Sequence, residues 1–340
     1  MEAGPLEAMT LRLVSSIRAN AGRMAQAPVL VVNPRTGPEV ARTTRYELQR
    51  LGAQYVHRPS GGRYVWYHFI NKISAVELAE RELAETELIS FLDCDVVALG
   101  EPEEFLLDQA HDIGSCTPDN SLTASTTGPN HPREPYWRRM CEVLDMSVDD
   151  LPWVQAQDGV RVRFYLGAGI FAYRRSSGFS SVYRETVTRL LDANLGIGRN
   201  GEHWLEQASF GMAIARGGLK WKQLSGSHNC HLSSAKEKSY DPLRLREARL
   251  LHYHDSMNPH FWDEFLARIR AQRPEHYEWL KAAGPIDYRS PLPTRVASEA
   301  LRIMRGFRRS SYRRRYRALN IAESSAPTAV QPALSPQVAP

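Results

Sequence analysis

The chain has 340 residues, of which 42% are hydrophobic and 24% charged, and its formal net charge is +5 at pH 7. This length and hydrophobic content are enough for one large α/β domain or two small ones, and they argue against an intrinsically disordered chain. No apolar run reaches the roughly 18 residues that a membrane-spanning helix needs.

The cysteines are scattered and none forms a CxxC pair; they are Cys94, Cys116, Cys141 and Cys230. This spacing argues against a zinc knuckle or a disulfide framework and is typical of buried thiols in a reducing compartment. The N-terminal segment lacks the pattern of a signal peptide, because acidic and basic residues interrupt its short apolar stretches. These features predict a cytoplasmic protein.

Helices and strands alternate through the first third of the chain. The apolar spacing and the propensities predict helices over residues 5–20, 39–52 and 72–85. Buried strands are predicted over residues 27–32, 53–58 and 88–93. This alternation predicts an α/β fold with a mostly parallel, Rossmann-like central sheet flanked by helices.

The pattern continues further along the chain. Strands are predicted over 162–175, 219–224 and 248–254, and helices over 136–146, 180–194 and 202–218. Residues 117–160 are rich in Pro, Asn, Thr and Asp, which predicts a long excursion suited to an acceptor pocket. The segment GIGRNG (196–201) satisfies GxGxxG but follows a helix, so we interpret it as a loop and not as a dinucleotide site.

The C-terminal part is strongly basic. Eight arginines and no acidic residue lie in 302–317, whereas the rest of the chain is slightly acidic. We therefore predict a globular domain over 1–289, a basic extension over 290–322 without globular character, and a disordered Ala-, Pro- and Ser-rich tail over 323–340.

The basic extension carries Phe307, Tyr312 and Tyr316 among its arginines. This composition favours peripheral contact with anionic lipid at the inner face of the membrane. A solvated tail and contact with nucleic acid remain alternatives for the extension. Because the charge lies in an appended arm and not in the body, no nucleic acid is expected as the partner of the protein.

Two carboxylates, Asp93 and Asp95, follow the strand predicted over 88–93. In an extended segment residues i and i+2 point the same way, so their mutual repulsion requires a cation or protons. Mg²⁺ or Mn²⁺ would balance this charge and also hold a diphosphate. The alternative is that one Asp caps a turn while the other is solvated. Ligands of such sheets bind beyond the carboxyl ends of strands, where this pair lies.

The stretch ISFLDCDVVALGEP (89–102) resembles the aspartate motif of nucleotide-diphosphosugar transferases with the GT-A fold, nearest to the family 8 type. Further segments are similar to motifs of that family in the same order: YLGAGIFAYRR (165–175), HWLEQASF (203–210), LKWKQLSGSHN (219–229) and LLHYHDSMNPHFW (250–262). The resemblance covers roughly residues 5–265. It implies a GT-A-like sheet, although the opening strand of the family is missing before the helix over 5–20.

The resemblance implies a metal site for Mn²⁺ or Mg²⁺. Its ligands would be Asp93, which would also contact the ribose, Asp95 and His252. A histidine on a strand is often structural, and His254 faces the same side as His252. The register of the motif favours His252 over His254.

The resemblance also implies a donor site. Glu206 and Gln207 would bind the donor sugar, with Gln207 near the anomeric carbon. The remaining donor-binding positions are Lys72, Gly167, Ala168, Gly169, Asn229 and Asn258. Simpler structural roles are the alternatives: solvated helix residues for the Glu–Gln pair, tight strand packing for the small residues, and a surface lysine.

Three positions depart from the pattern of the family. Asn258 replaces a phosphate-contacting Lys, Gly167 replaces an Asn, and Ala208 replaces the last Asp of a DQD motif. The sequence therefore predicts a metal-dependent glycosyltransferase that moves a sugar from a nucleotide-diphosphosugar, UDP-linked in the first instance, to an unknown glycan, lipid or protein acceptor. Retention at the anomeric carbon is implied by the resemblance.

Two alternatives remain. A non-catalytic nucleotide- or sugar-binding relative is favoured by the departures and the missing strand. A Mg²⁺-dependent nucleotidyltransferase is less favoured, because no glycine-rich basic loop follows the first strand.

Overall fold

The computed structural model describes residues 1–59, 62–119, 124–195, 201–234, 240–288 and 292–319. The helices are α1 (Pro5–Asn20), α2 (Arg42–Arg50), α3 (Ile70–Glu82), α4 (Glu134–Val143), α5 (Phe179–Asp192), α6 (Leu205–Arg216), α7 (Pro242–Glu247), α8 (Trp262–Gln272), α9 (Pro274–Ala283) and α10 (Leu292–Leu319). The strands are β1 (Val29–Asn33), β2 (Ala53–His57), β3 (Leu88–Leu92), β4 (Val96–Ala98), β5 (Ile113–Ser115), β6 (Trp153–Gln155), β7 (Arg161–Arg163), β8 (Ile170–Arg174), β9 (Trp221–Gln223), β10 (Cys230–His231) and β11 (Leu250–His252).

A four-stranded sheet with the order β3-β8-β5-β9 forms the centre of the molecule. β8 runs antiparallel to both β3 and β5, whereas β5 and β9 are parallel. The first four residues of β8 are fully buried, which is typical of a strand covered on both faces. The predicted α/β class is confirmed, but the strand directions are more mixed than predicted, because an apolar run indicates a strand and not its direction.

The described residues form three smaller sheets besides the central one. β1 and β2 pair in parallel, β6 and β7 pair antiparallel, and a three-stranded sheet has the order β10-β11-β4. Within the latter, β10 and β11 are parallel and β11 and β4 are antiparallel. The chain therefore passes from the central sheet to the three-stranded sheet between β3 and β4, across only residues 93–95.

The strand predicted over 162–175 is divided in two. β7 and β8 are separated by residues 164–169, which pass close to α6 at Gly211. Gly211 of α6 permits this close approach, because a Cβ built there would lie 2.0 Å from the carbonyl oxygen of Phe164. The small residues of the 167–169 segment consequently lie in a loop and not in a strand.

The basic extension, predicted to lack globular character, contains the helix α10. Tyr312 on this helix is 1% exposed, its ring lies 4.9 Å from that of Trp66, and its hydroxyl donates to Leu195 O at 2.6 Å. Arg309 and Arg313 contact the buried carboxylate of Glu202 at 2.8 and 2.9 Å. Part of the basic extension is therefore packed against the body. Residues 320–340, which include the predicted tail, lie outside the described residues.

Within the described ranges, none of the helices combines the length and the apolar composition that crossing a bilayer requires.

We predict that Tyr312→Ala lowers the free energy of unfolding by about 3–5 kcal/mol, because it removes a buried aromatic ring and its hydrogen bond. Phe307→Ala is the matched control, since Phe307 on the same helix is 73% exposed, and its effect should stay within about 0.5 kcal/mol. Urea denaturation of both variants measures the difference. Equal midpoints would show that α10 does not contribute to the stability of the body.

Candidate active site

The acidic pair lies at the junction of two sheets. Asp93 follows β3 directly, and its backbone N–H donates to Gly169 O at 2.8 Å. Asp95 precedes β4, and its carbonyl oxygen accepts from Tyr253 N at 3.0 Å. Backbone bonds to the start of β8 on one side and the end of β11 on the other therefore fix both residues.

Asp93, Asp95 and His252 converge on one point. One ligand atom from each of the three lies within 4.8 Å of the others, and His252 Nε2 is 3.1 Å from Asp95 Oδ1. The histidine is buried, whereas the two carboxylate side chains remain 30% and 26% exposed. The sequence predicts that these three side chains form one group, and in the structure they lie close together.

The surroundings of the three residues fit a divalent cation. His252 Nδ1 lies 3.3 Å from Asn229 Oδ1, an atom that only accepts, so the proton is assigned to Nδ1 and the lone pair of neutral His252 to Nε2. Gly169 leaves the space open: a Cβ there would lie 2.7 Å from Asp93 Oδ2 and 3.1 Å from His252 Cε1. Two carboxylates with one imidazole suit Mn²⁺ or Mg²⁺.

The ionisation of the site is unequal. Burial raises the pKa of Asp93 to about 6, although Lys72 opposes the shift. Burial also acts to raise the pKa of Asp95, but the charge of His252 outweighs it and lowers the pKa to about 2. Burial acts to lower the pKa of His252, but Asp95 outweighs it and raises that pKa above its usual value. His252 and Asp95 therefore each favour the charged form of the other.

Lys72 of α3 reaches the same site. Its Nζ donates to Ala168 O at 2.9 Å and lies 3.5 Å from Asp93 Oδ2 and 3.4 Å from Glu206 Oε1. Its side chain is only 9% exposed, so the alternative of a surface lysine is wrong. The carboxylates of Asp93 and Glu206 overcome the effect of burial and raise the pKa of Lys72.

Glu206 and Gln207 lie in the first turn of α6 but have different surroundings. Glu206 is 3% exposed; its carboxylate accepts from Tyr183 OH, and its backbone N–H donates to Tyr67 OH at 3.0 Å. Gln207 is half-buried and donates from Nε2 to Leu166 O at 3.3 Å. Gln207 therefore lies beside the loop that carries the predicted small residues, while Glu206 holds Lys72.

The remaining predicted positions divide into two groups. Gly167 lies against Asn229, because a Cβ built on Gly167 would be 3.3 Å from Asn229 Nδ2. Asn229 is therefore beside both this loop and His252. Asn258, in contrast, accepts from His260 N at 3.0 Å inside the turn before α8, and the described contacts do not link it to the acidic pair.

Sequence reasoning missed two neighbours of the site. Tyr183 lies in a helix that contains no motif, and its contact with Glu206 depends on the tertiary fold. His231 lies opposite His252 in the parallel register of β10 and β11, a pairing that the sequence does not reveal. His254, a third neighbour, could be recognised from the sequence, because it lies on the same predicted strand face as His252.

A cavity of about 360 Å³ lies at the carboxyl end of β1, closed on one side by α10. Asn33, Arg35, Trp66, His68 and Arg305 contribute to its lining. Trp66 and His68 flank Tyr67 in the chain, and the Tyr67 hydroxyl accepts from the backbone N–H of Glu206 at 3.0 Å.

The GIGRNG segment falls almost entirely on residues 196–200, which are outside the described ranges.

Comparison with known proteins identifies the family. The sequence model described as the Rhodobacterales glycosyltransferase domain matches residues 1–218, well over half of the chain. The chain belongs to this family of glycosyltransferase domains. No functionally curated protein matches it in sequence.

Three solved structures superimpose on the chain in part. The apo structure of WbbM, a bifunctional glycosyltransferase, is 12% identical over 82% of this chain, with a TM-score of 0.48; this chain spans 50% of that one. An active-site mutant of LgtC is 14% identical over 81% of this chain and 95% of its own, with a TM-score of 0.44. The glycosyltransferase GlyE of Streptococcus pneumoniae is 14% identical over 84% of this chain and 63% of its own, with a TM-score of 0.43.

We predict that the affinity for Mn²⁺ rises with pH. The raised pKa values of Asp93, about 6, and of His252 mean that both carry protons in mildly acidic solution, and a metal ligand must lose its proton. The logarithm of the association constant should rise by about one to two per pH unit below pH 6 and level off above the pKa of His252. Titrations of free Mn²⁺ by electron paramagnetic resonance between pH 5.5 and 8.5 measure this; a constant affinity would contradict it.

We also predict that Gly169→Ala weakens Mn²⁺ binding at least about tenfold, because the added methyl group meets Asp93 Oδ2 and His252. Gly306→Ala is the control, since a Cβ at Gly306 in α10 meets no atom within 4 Å. Calorimetric Mn²⁺ titrations of the two folded variants compare them. If Gly169→Ala binds Mn²⁺ as tightly as Gly306→Ala does, the close contacts at residue 169 do not affect metal binding.

Proposed function

We propose that the protein transfers a sugar from a nucleotide-diphosphosugar to an acceptor hydroxyl, with one divalent cation held by Asp93, Asp95 and His252. The observation that carries the proposal is the convergence of these three side chains, with ligand atoms within 4.8 Å, at the carboxyl end of β3 in the central sheet. That edge of an α/β sheet is where ligands bind. Bound Mn²⁺ or Mg²⁺ would supply positive charge to the diphosphate as it departs.

The side chains of the protein provide a second positive charge. Lys72 is buried beside Asp93 and held by Glu206, so its ammonium group has a fixed position. A fixed charge beside a leaving diphosphate stabilises the transition state without reorganisation. We therefore assign Lys72 to phosphate binding and Glu206 to holding Lys72, with Tyr183 as the further support of that carboxylate.

The donor sugar belongs beside the loop of residues 167–169. Gln207 contacts the carbonyl of Leu166 at the edge of this loop, and Asn229 lies against Gly167. Small residues let a ligand approach the backbone closely. We place the reacting carbon of the sugar near Gln207, with retention of configuration as the stereochemical outcome.

We place the nucleoside part of the donor in the cavity at the carboxyl end of β1. The volume of about 360 Å³ is in the range of small-ligand pockets, and Arg35 and Arg305 in its lining complement a polyanion. The acceptor is a hydroxyl of a glycan, lipid or protein, bound by the 117–160 excursion. Contact of the outward arginines of α10 with anionic lipid would bring the site to a membrane-bound acceptor.

Screening nucleotide sugars by thermal shift, with Mn²⁺ or with a chelator, tests the proposal. A true donor at 100 times its Kd should stabilise the protein by about 2.7 kcal/mol, and only when Mn²⁺ is present. Asp95→Asn should abolish this metal-dependent shift, whereas Glu278→Gln, a change at an exposed residue of α9, should leave it unchanged.

Release of nucleoside diphosphate from the stabilising donor then measures turnover. If a nucleotide sugar binds with Mn²⁺ but none is hydrolysed or transferred, the protein is a binding relative and the transfer reaction is refuted. If no UDP- or GDP-sugar binds with any divalent ion, the proposed donor class is refuted as well.

A further inference from the structure

We propose that His254 is an additional ligand of the cation site, oriented by His231, and that it makes the site prefer transition-metal ions over Mg²⁺. The inference rests on the proposed metal site of Asp93, Asp95 and His252, and it adds a ligand and a metal preference to it. It starts from a second group of side chains, His231, His252 and His254, whose ligand atoms also lie within 4.8 Å of one another. His252 belongs to both groups.

The three imidazole rings form a compact stack. The ring centroids of His252 and His254 are 4.2 Å apart, and both rings lie 5.1 Å from that of His231, with interplanar angles of 15–25°. Two imidazolium ions at these distances repel each other, so the stack disfavours charge on more than one ring. Neutral imidazole is the form that binds a metal.

His254 has an unusual backbone conformation. Its φ is +47°, in the left-handed region that non-glycine residues rarely adopt. Tyr288 OH donates to the His254 carbonyl at 3.2 Å and holds this turn after β11. In this conformation the imidazole lies beside Asp95, with its Nδ1 3.7 Å from Asp95 Oδ2. Strained residues of this kind concentrate at functional sites.

His231 sets the orientation of that ring. Its Nδ1 is 2.9 Å from His254 Nε2, so one of these two nitrogens donates to the other. When His254 Nε2–H is the donor, His254 Nδ1 keeps its lone pair, and this is the nitrogen that lies 3.7 Å from Asp95 Oδ2. A ligating histidine that uses its other ring nitrogen in this way is typical of metal sites.

A second imidazole changes which ion is preferred. Mg²⁺ favours oxygen ligands in a strict octahedron, whereas nitrogen ligands increase the affinity for ions from Mn²⁺ toward Co²⁺, Ni²⁺ and Zn²⁺. Two carboxylates with two imidazoles therefore form a site for a transition metal, and two carboxylates with one imidazole form a less selective one. The position of His254 decides between them.

The test compares the binding of Mg²⁺, Mn²⁺ and Co²⁺, each added alone to the full chain, by calorimetry. His254→Asn keeps a residue that tolerates the left-handed region but removes the imidazole. His254→Gly is a second variant that tolerates the same backbone without any side chain. His260→Asn, at an exposed histidine in the next turn, is the matched control.

We expect both His254 variants to reduce the preference for Co²⁺ over Mg²⁺ at least about tenfold, with Mg²⁺ affinity changed less than about threefold. His231→Asn should reduce it in the same direction, and His260→Asn should not change it. The visible spectrum of bound Co²⁺ should shift in the His254 variants, because one nitrogen ligand is lost. This readout does not depend on catalysis.

An unchanged preference in both folded His254 variants would overturn the inference while leaving the three-ligand site intact. Two bound Co²⁺ ions per chain would also overturn it, because His231, His252 and His254 would then hold a separate ion. If the unaltered chain binds none of the three ions, the proposed metal site falls together with the inference.

Discussion

The structure depends on placing two carboxylates, Asp93 and Asp95, where the chain leaves one sheet and enters another. Only residue 94 separates them, and both are tied through their backbones to neighbouring strands. Like charges held this close destabilise the fold unless positive charge is nearby. Lys72 beside Asp93 and His252 beside Asp95 supply that charge. A cation bound by the two carboxylates would add positive charge to that of Lys72 and His252.

Residues of α6 and of the loop before β8 determine the surroundings of this junction. Gly211 lets the backbone at Phe164 cross α6, which places the following loop beside the acidic pair. Gly169 keeps that loop from filling the space between Asp93 and His252. Glu206, buried under Tyr183 OH, holds Lys72 in place. The helix and the loop thus act together as the wall of one site.

The sequence predicted what local pattern determines. The strand before Asp93, the helix over 5–20 and the grouping of Asp93, Asp95 and His252 follow from apolar periodicity and from an ordered set of motifs. It did not predict the mixed strand directions or the burial of Tyr312, because both depend on contacts between distant segments. His231 and Tyr183 were missed for the same reason, since neither lies in a motif. Asn258 is the opposite case: it lies in a motif, but its described contact is local.

The most direct measurement is the anomalous scattering of Mn²⁺ in crystals of the protein grown with the ion. The account predicts one strong peak whose ligands include carboxylate oxygens of Asp93 and Asp95 and His252 Nε2, at about 2.0–2.6 Å. Crystals in which Mn²⁺ occupies other positions while these three side chains hold no ion would contradict it.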